Sequence, residues 1–81
     1  MTSQINDILD ILESILEEDI SSKVRLEIEK IVLILKKDNS SQTLMKVQDE
    51  VESLSSSSHL DDYVRNELIN LGPLIESTYN S

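Results

Sequence analysis

The chain has no cysteine, no phenylalanine and no tryptophan, and its 81 residues include one glycine, one proline and two tyrosines. Without cysteine it can form neither a disulfide framework nor a Cys-based zinc site. Without large apolar rings, its core must be built from aliphatic side chains. A chain of this length forms one domain, residues 1–81, and buries only about 60% of its unfolded surface. A large enclosed active site is therefore not expected.

Long apolar runs and basic residues are also scarce. The longest apolar run, Ile31–Leu35, is far shorter than the roughly 20 residues that span a bilayer. Residues 1–4 lack the basic and apolar pattern of a signal peptide. Sixteen acidic and seven basic residues give a net charge of −9, which opposes approach to phosphate backbones and anionic lipid. We therefore expect a cytoplasmic protein with no membrane partner and no direct nucleic-acid contact.

An internal repeat organises the chain. An offset of 40 residues places Val24 on Val64, Arg25 on Arg65, Glu27 on Glu67, Ile28 on Leu68, Ile31 on Leu71 and Leu35 on Ile75. A period near 40 built from two helices is typical of stacked helical repeats, whose single units cannot bury their own apolar faces. We therefore predict an all-α fold of two tandem antiparallel hairpins, with repeat one at residues 3–38 and repeat two at residues 41–79.

The turn between the two helices of repeat one has a sequence motif found in a known class of helical repeats. The stretch Asp19-Ile20-Ser21-Ser22-Lys23-Val24-Arg25 resembles the turn of HEAT repeats, in which an acidic turn leads into Val-Arg and the second helix. Val64-Arg65 repeats that ending. In its length, its paired turns and its acidic surface, the whole chain is also similar to a family of small archaeal proteins of unknown function. These resemblances imply HEAT-like hairpins packed as a four- to five-helix bundle, and they imply no activity.

Charged residues recur at matched places in the two repeats. The repeat signature consists of Glu13, Asp19, Val24 and Arg25 in the first copy and Glu52, Val64 and Arg65 in the second. The helix dipole disfavours an arginine in the first turn of a helix, so a recurrent arginine there needs a partner. In an antiparallel hairpin, positions equidistant from the loop face each other. We therefore predict two structural ion pairs, Glu13 with Arg25 and Glu52 with Arg65.

The second helix, which is predicted to run to about Lys37, has two apolar sides. One side carries Val24, Ile28, Ile31, Val32 and Leu35. Leu26 and Leu33 lie nearly opposite, flanked by Lys30 and Lys37. A helix that is apolar on two sides is either central in the fold or half of an interface. Leu26, Lys30, Leu33 and Lys37 are therefore the candidate interface, and the alternative is that both leucines pack on the neighbouring hairpin.

Two local features of the second repeat carry further predictions. Gly72-Pro73 is predicted to kink or break the last helix, because proline lacks an amide donor and clashes with the carbonyl four residues earlier. His59 is the single histidine, and no other residues stand at the spacing of a metal site or a catalytic triad around it. We interpret it as a loop residue.

These features together favour a small acidic interaction or assembly module without catalytic activity, cofactor or metal. Its partner would be another protein or a second copy in a homodimer, because two repeats are fewer than a helical array usually needs. The acidic surface would attract a basic partner. One alternative is a metal-assisted hydrolase that uses the carboxylates of the first helix, since hard cations take oxygen ligands. Another is an acidic mimic of nucleic acid.

Overall fold

In the computed structural model, four helices follow one another along the chain: α1 (Thr2–Leu16), α2 (Ser22–Lys37), α3 (Ser41–Ser55) and α4 (Asp62–Tyr79). The structure describes residues 2–57 and 60–80, and of residues 2 and 3 it describes the backbone alone. No strand occurs within these ranges, so the predicted all-α fold is confirmed. His59, and with it the interpretation as a loop residue, lies outside the described residues.

Each helix packs against two others. α1 contacts α2 and α4, and α3 contacts the same two helices, while α1–α3 and α2–α4 do not approach closely in the described part of the chain. Contact is most extensive between α3 and α4. The helices therefore form a closed ring, which is the arrangement of a four-helix bundle. A bundle was predicted, and it has four helices; the HEAT-like resemblance stays a prediction.

The core between the helices is aliphatic, as a chain without Phe and Trp requires. Its buried members are Ile8, Leu12, Ile15, Val24, Ile28, Ile31, Val32, Leu35, Leu44, Val47, Val51, Leu60, Val64, Leu68, Leu71 and Ile75. No polar or charged side chain among the described residues is buried. Burying one leucine or isoleucine side chain stabilises a fold by about 1.5–3 kcal/mol, so these residues supply the main driving force for folding.

The internal repeat is also visible in which residues are buried. α2 buries residues 24, 28, 31, 32 and 35, and α4 buries residues 64, 68, 71, 72 and 75. The offset is 40 at every one of these positions. The two helices therefore turn the same face inward and take equivalent places against the core, with Gly72 at the position that Val32 occupies in the first repeat.

The two repeat arginines bind backbone carbonyls. Arg25 Nη1 donates to the carbonyl oxygen of Leu16 at 2.9 Å, and Arg65 Nη2 donates to that of Ser57 at 2.8 Å. Leu16 ends α1, and Ser57 lies just beyond the end of α3. The last carbonyls of a helix lack partners within it and form the negative end of its dipole. Arg25 therefore caps α1, and Arg65 binds the chain just beyond α3. These bonds explain a cation in the first turn of α2 and of α4.

The predicted ion pairs Glu13–Arg25 and Glu52–Arg65 are therefore wrong. The prediction paired residues at equal distances from the loop. Instead, Glu13 Oε2 lies 3.7 Å from Lys36 Nζ in the last turn of α2, and Arg65 Nη1 lies 3.7 Å from Asp62 Oδ1. Equal distance from the loop therefore does not identify the ion-pair partners.

Hydrogen-bonded caps connect the helices. Between α2 and α3, Thr43 Oγ1 donates to Asp38 Oδ2 at 2.7 Å, and the Ser40 amide donates to Asp38 Oδ1 at 3.0 Å. Hydrogen bonds from Thr43 and Ser40 hold the pKa of Asp38 below its ordinary value of 3.8. The linker between the repeats is therefore hydrogen-bonded to the first turn of α3. At the start of α2, Ser21 Oγ accepts a hydrogen bond from the amide of Val24 at 3.3 Å.

α4 passes through Gly72-Pro73 without ending, so of the predicted kink or break, the break is wrong. Leu71 and Ile75 are fully buried on either side of this pair. Gln48 Nε2 of α3 donates to the carbonyl oxygen of Gly72 at 3.3 Å. Tertiary contacts of this kind routinely override a low helix propensity, and they hold the last turns of α4 in place.

Candidate interaction surface

Two of the exposed apolar side chains in the described residues are more accessible than the rest. Leu26 and Leu33 on α2 are each 66% exposed, compared with 52% for Ile69, 49% for Met45 and 46% for Tyr63. Neither leucine is covered by the neighbouring hairpin, so the interpretation that both pack there is wrong. Their apolar surface is available to a partner.

The two leucines alternate with three lysines along one side of α2. Lys23, Leu26, Lys30, Leu33 and Lys37 are all exposed and follow one another at intervals of three and four residues. At 3.6 residues per turn, these positions fall within an arc of about 80°, opposite the buried side of the helix. We name these five residues the Lys–Leu stripe. Four of them were predicted from the sequence; Lys23 was missed, although the same spacing extends back to it.

The stripe is basic although the protein is acidic. Five of the seven lysine and arginine residues of the chain lie on α2, together with two acidic residues, Glu27 and Glu29. α2 therefore has a net charge of +3 within a chain whose net charge is −9. Two of these cations, Arg25 and Lys36, are bound to other groups, and the three lysines of the stripe place positive charge on this face of an acidic molecule.

The three lysines of the stripe have no ion-pair partner among the described residues. Lys36, at one edge of the same helix, is the exception on this side of α2, because its Nζ lies 3.7 Å from Glu13 Oε2. Lys23, Lys30 and Lys37 thus present their charges to solvent alone. An oppositely charged partner can pair with them without breaking an existing ion pair.

An open cleft of about 430 Å³ lies along the second half of the stripe. Its lining consists of Lys30, Leu33, Ile34, Lys36 and Lys37. Four of these residues, 30, 33, 34 and 37, stand at positions i, i+3, i+4 and i+7 of one helix. Four residues in this arrangement form the hole that receives a side chain of a facing helix in knobs-into-holes packing. The cleft therefore matches what a partner helix would fill.

The second repeat provides an internal comparison for this face. At the offset of 40, the stripe positions correspond on α4 to Tyr63, Asn66, Asn70, Pro73 and Ser77. These positions are also exposed, but they carry neither a lysine nor a leucine. Because α4 takes an equivalent place against the core without such residues, the bundle does not require the lysines and leucines of the stripe.

The residues of the repeat signature do not form a second site. Val24 and Val64 are buried, and Asp19 is exposed between α1 and α2. Arg25 and Arg65 bind the backbone at the ends of the preceding helices. The positions of the repeat-signature residues are explained by folding. Among the residues singled out from the sequence, those of the stripe are the candidates for a function.

The carboxylates of α1 give no support to a metal-assisted hydrolase. Asp7, Asp10 and Glu13 are exposed along this helix, and Glu17 is exposed directly after its end. Within residues 2–57 and 60–80, no group of three or more His, Cys, Asp or Glu side chains could hold a metal ion. The same ranges contain no helix with the length and apolar character needed to cross a membrane.

Comparison with known proteins gives the chain no relative from which a function could be carried over. No protein-family model, no curated protein and no solved structure matches it. The case for a function therefore rests on the surface that α2 presents.

Proposed function

We propose that this protein is a small interaction or assembly module without catalytic activity, and that its Lys–Leu stripe binds a protein. The occupant is either a different chain or a second copy of this one. The observation that carries the proposal is the exposure of Leu26 and Leu33 on a face that the bundle leaves uncovered. Removing one leucine side chain from water is worth about 1.5–3 kcal/mol, so covering both in a complex favours association.

The lysines beside the leucines add selectivity. A lysine covers apolar surface with its aliphatic stem while its ammonium group stays in water. Charges around an apolar patch also discriminate between partners, because juxtaposed like charges are costly. The stripe thus combines apolar area, which supplies affinity, with charges that select the partner.

Self-association is one form of this proposal. A homodimer is the commonest closed assembly of soluble proteins, and it would cover the leucines of both copies with one interface. Such a dimer would also give this small chain more buried surface than one bundle provides. The first test of the function therefore includes a measurement of the mass of the protein in solution.

Replacing both leucines, Leu26→Asp with Leu33→Asp, should abolish association while the bundle stays folded. Both side chains are exposed, so the free energy of unfolding should change by no more than about 1 kcal/mol. Two carboxylates in a desolvated interface should weaken binding by about 100-fold or more. Sedimentation equilibrium measures self-association. Affinity capture from the native cells, followed by mass spectrometry, measures binding to another protein.

The matched control places aspartate at Met45 and Ile69, which are exposed apolar residues on α3 and α4. This double variant should keep every association of the unmodified protein. The proposal fails if the leucine variant also keeps them, if both double variants lose them equally, or if the unmodified protein associates with nothing.

A further inference from the structure

The spacing of the Lys–Leu stripe and its charge narrow the class of partner. We infer that the stripe binds an acidic amphipathic helix of a different protein, and this inference rests on the proposed function. The apolar side chains of that helix are flanked by glutamate or aspartate. The stripe residues repeat at intervals of three and four, which is the spacing of the two core positions in a coiled coil. A helix that packs on α2 with the same spacing can follow the whole stripe.

The alternation of lysine and leucine along the stripe indicates which kind of partner helix it binds. Leu26 and Leu33 occupy one of the two coiled-coil positions, and Lys23, Lys30 and Lys37 occupy the other. Leucine is a common core residue at such positions, whereas lysine there costs stability and specifies which chains pair. A facing helix with carboxylates beside its apolar side chains pairs with the lysines and packs on the leucines.

The cleft beside Leu33 supports the same partner. It lies among residues at positions i, i+3, i+4 and i+7 of α2, with Leu33 and the half-buried Ile34 as its apolar members. Lys30 and Lys37 stand at its two ends. An apolar side chain of the partner fits this hole, and acidic residues next to it in the partner helix come close to both ammonium groups.

A second copy of this chain fits the stripe less well. Packing two stripes together brings the lysines of both copies into one seam, where like charges repel. The acidic side of α1 offers carboxylates, but no large apolar side chain described on α1 is exposed. That surface therefore gives Leu26 and Leu33 nothing to pack against.

The acidic remainder of the molecule does not reverse this preference. Its carboxylates repel an acidic partner at long range, but most of them lie on other helices and in the loops. At physiological salt, interactions between exposed charges are screened over about 8 Å. The three lysines of the stripe act at contact distance. The sign of their charge therefore decides which partner is preferred.

The test uses two labelled synthetic peptides, each about three heptads long. Both have leucines at intervals of three and four, and they differ in the flanking positions, which are glutamate in one and lysine in the other. Fluorescence anisotropy with the full chain measures their dissociation constants. The acidic peptide should bind about tenfold more tightly than the basic one, or better, at about 0.15 M salt.

Two charge-reversal variants form a matched pair. Lys30→Glu changes the middle of the stripe, and Lys46→Glu changes an exposed lysine of α3. Both substitutions alter the charge of the molecule equally, so a difference between them reports on position alone. Lys30→Glu should weaken binding of the acidic peptide by about tenfold, and Lys46→Glu by less than about twofold.

Several outcomes would overturn the inference. These are equal binding of the two peptides, tighter binding of the basic peptide, no binding of either, and equal weakening by both variants. A homodimer that Leu26→Asp with Leu33→Asp abolishes would assign the stripe to a second copy. Binding to vesicles of anionic lipid, without binding to the acidic peptide, would assign it to a membrane surface.

Failure of this inference can be told apart from failure of the proposed function. If the leucine variant loses its native partner while the two peptides bind alike, the interaction function stands and the acidic class of partner is wrong. If the leucine variant keeps every association, the proposed function itself is wrong.

Discussion

Replacing Ile28 or Leu68 with alanine should lower the free energy of unfolding by about 2–5 kcal/mol. The two residues stand 40 positions apart on the inward faces of α2 and α4, and they are 0% and 1% exposed. Truncation removes their apolar contacts and leaves a cavity that the surrounding aliphatic residues close only in part. Domains are stable by only about 5–15 kcal/mol, so either substitution removes a large share of the total.

Urea denaturation followed by circular dichroism measures these losses. The controls are Leu26→Ala and Leu33→Ala on the exposed side of α2, which should change the free energy of unfolding by no more than about 0.5 kcal/mol. A large loss in the controls would mean that the other side of α2 faces the core. A loss for Leu68→Ala without one for Ile28→Ala would mean that α2 and α4 do not take equivalent places.

Replacing Gly72 and Pro73 together with alanine should raise the free energy of unfolding by about 2–4 kcal/mol, because glycine and proline are the two least favourable residues inside a helix. A methyl group at position 72 would lie 3.8 Å from Glu52 Oε2, which is an ordinary contact. Position 73 is exposed, so alanine there loses no packing. It also restores an amide that can donate to the carbonyl oxygen of Ile69.

Thermal and urea denaturation of the double variant test this gain. Asn70→Ala, at an exposed position of the same helix, controls for the general helix propensity of alanine and should add less than about 1 kcal/mol. A double variant that is no more stable than Asn70→Ala would contradict the expectation. That outcome would mean that the packing of the last turns of α4 depends on the backbone shape that Pro73 imposes.

Periodicity predicted the inward faces of the helices well. The spacing of Val24, Ile28, Ile31 and Leu35 identifies one side of α2, and all four residues are buried. This agreement has a physical basis, because burial of apolar area is the largest favourable term in folding and a helix at the surface of a domain turns one apolar side toward the core.

Features that depend on how helices meet in space could not be read from the sequence. Arg25 was assigned to Glu13 because the two residues are equidistant from the loop, but its guanidinium donates to the carbonyl oxygen of Leu16. The kink or break at Gly72-Pro73 was predicted from local propensity alone. Tertiary contacts on either side of that pair, which have no local signal, keep α4 continuous.

The candidate surface was predicted in part. The positions of Leu26 and Leu33 opposite the apolar side of α2 follow from helical geometry, but the sequence alone left open whether another hairpin covers them. The net charge of the chain also pointed to a basic partner. A total over the chain, however, does not say where the individual charges lie. Only the placement of the lysines beside exposed leucines on one helix reveals a basic surface on an acidic protein.

Backbone-amide NMR spectra show directly whether the Lys–Leu stripe is the binding surface of this protein. Spectra are recorded while the acidic peptide is added, and separately while the protein concentration is raised. We expect the signals that shift to come from the stripe, residues 23, 26, 30, 33 and 37. The signals of residues 63, 66, 70 and 77, at corresponding positions of α4, should stay unchanged. Shifts concentrated on α1, α3 or α4, or no shifts in either series, would contradict the account.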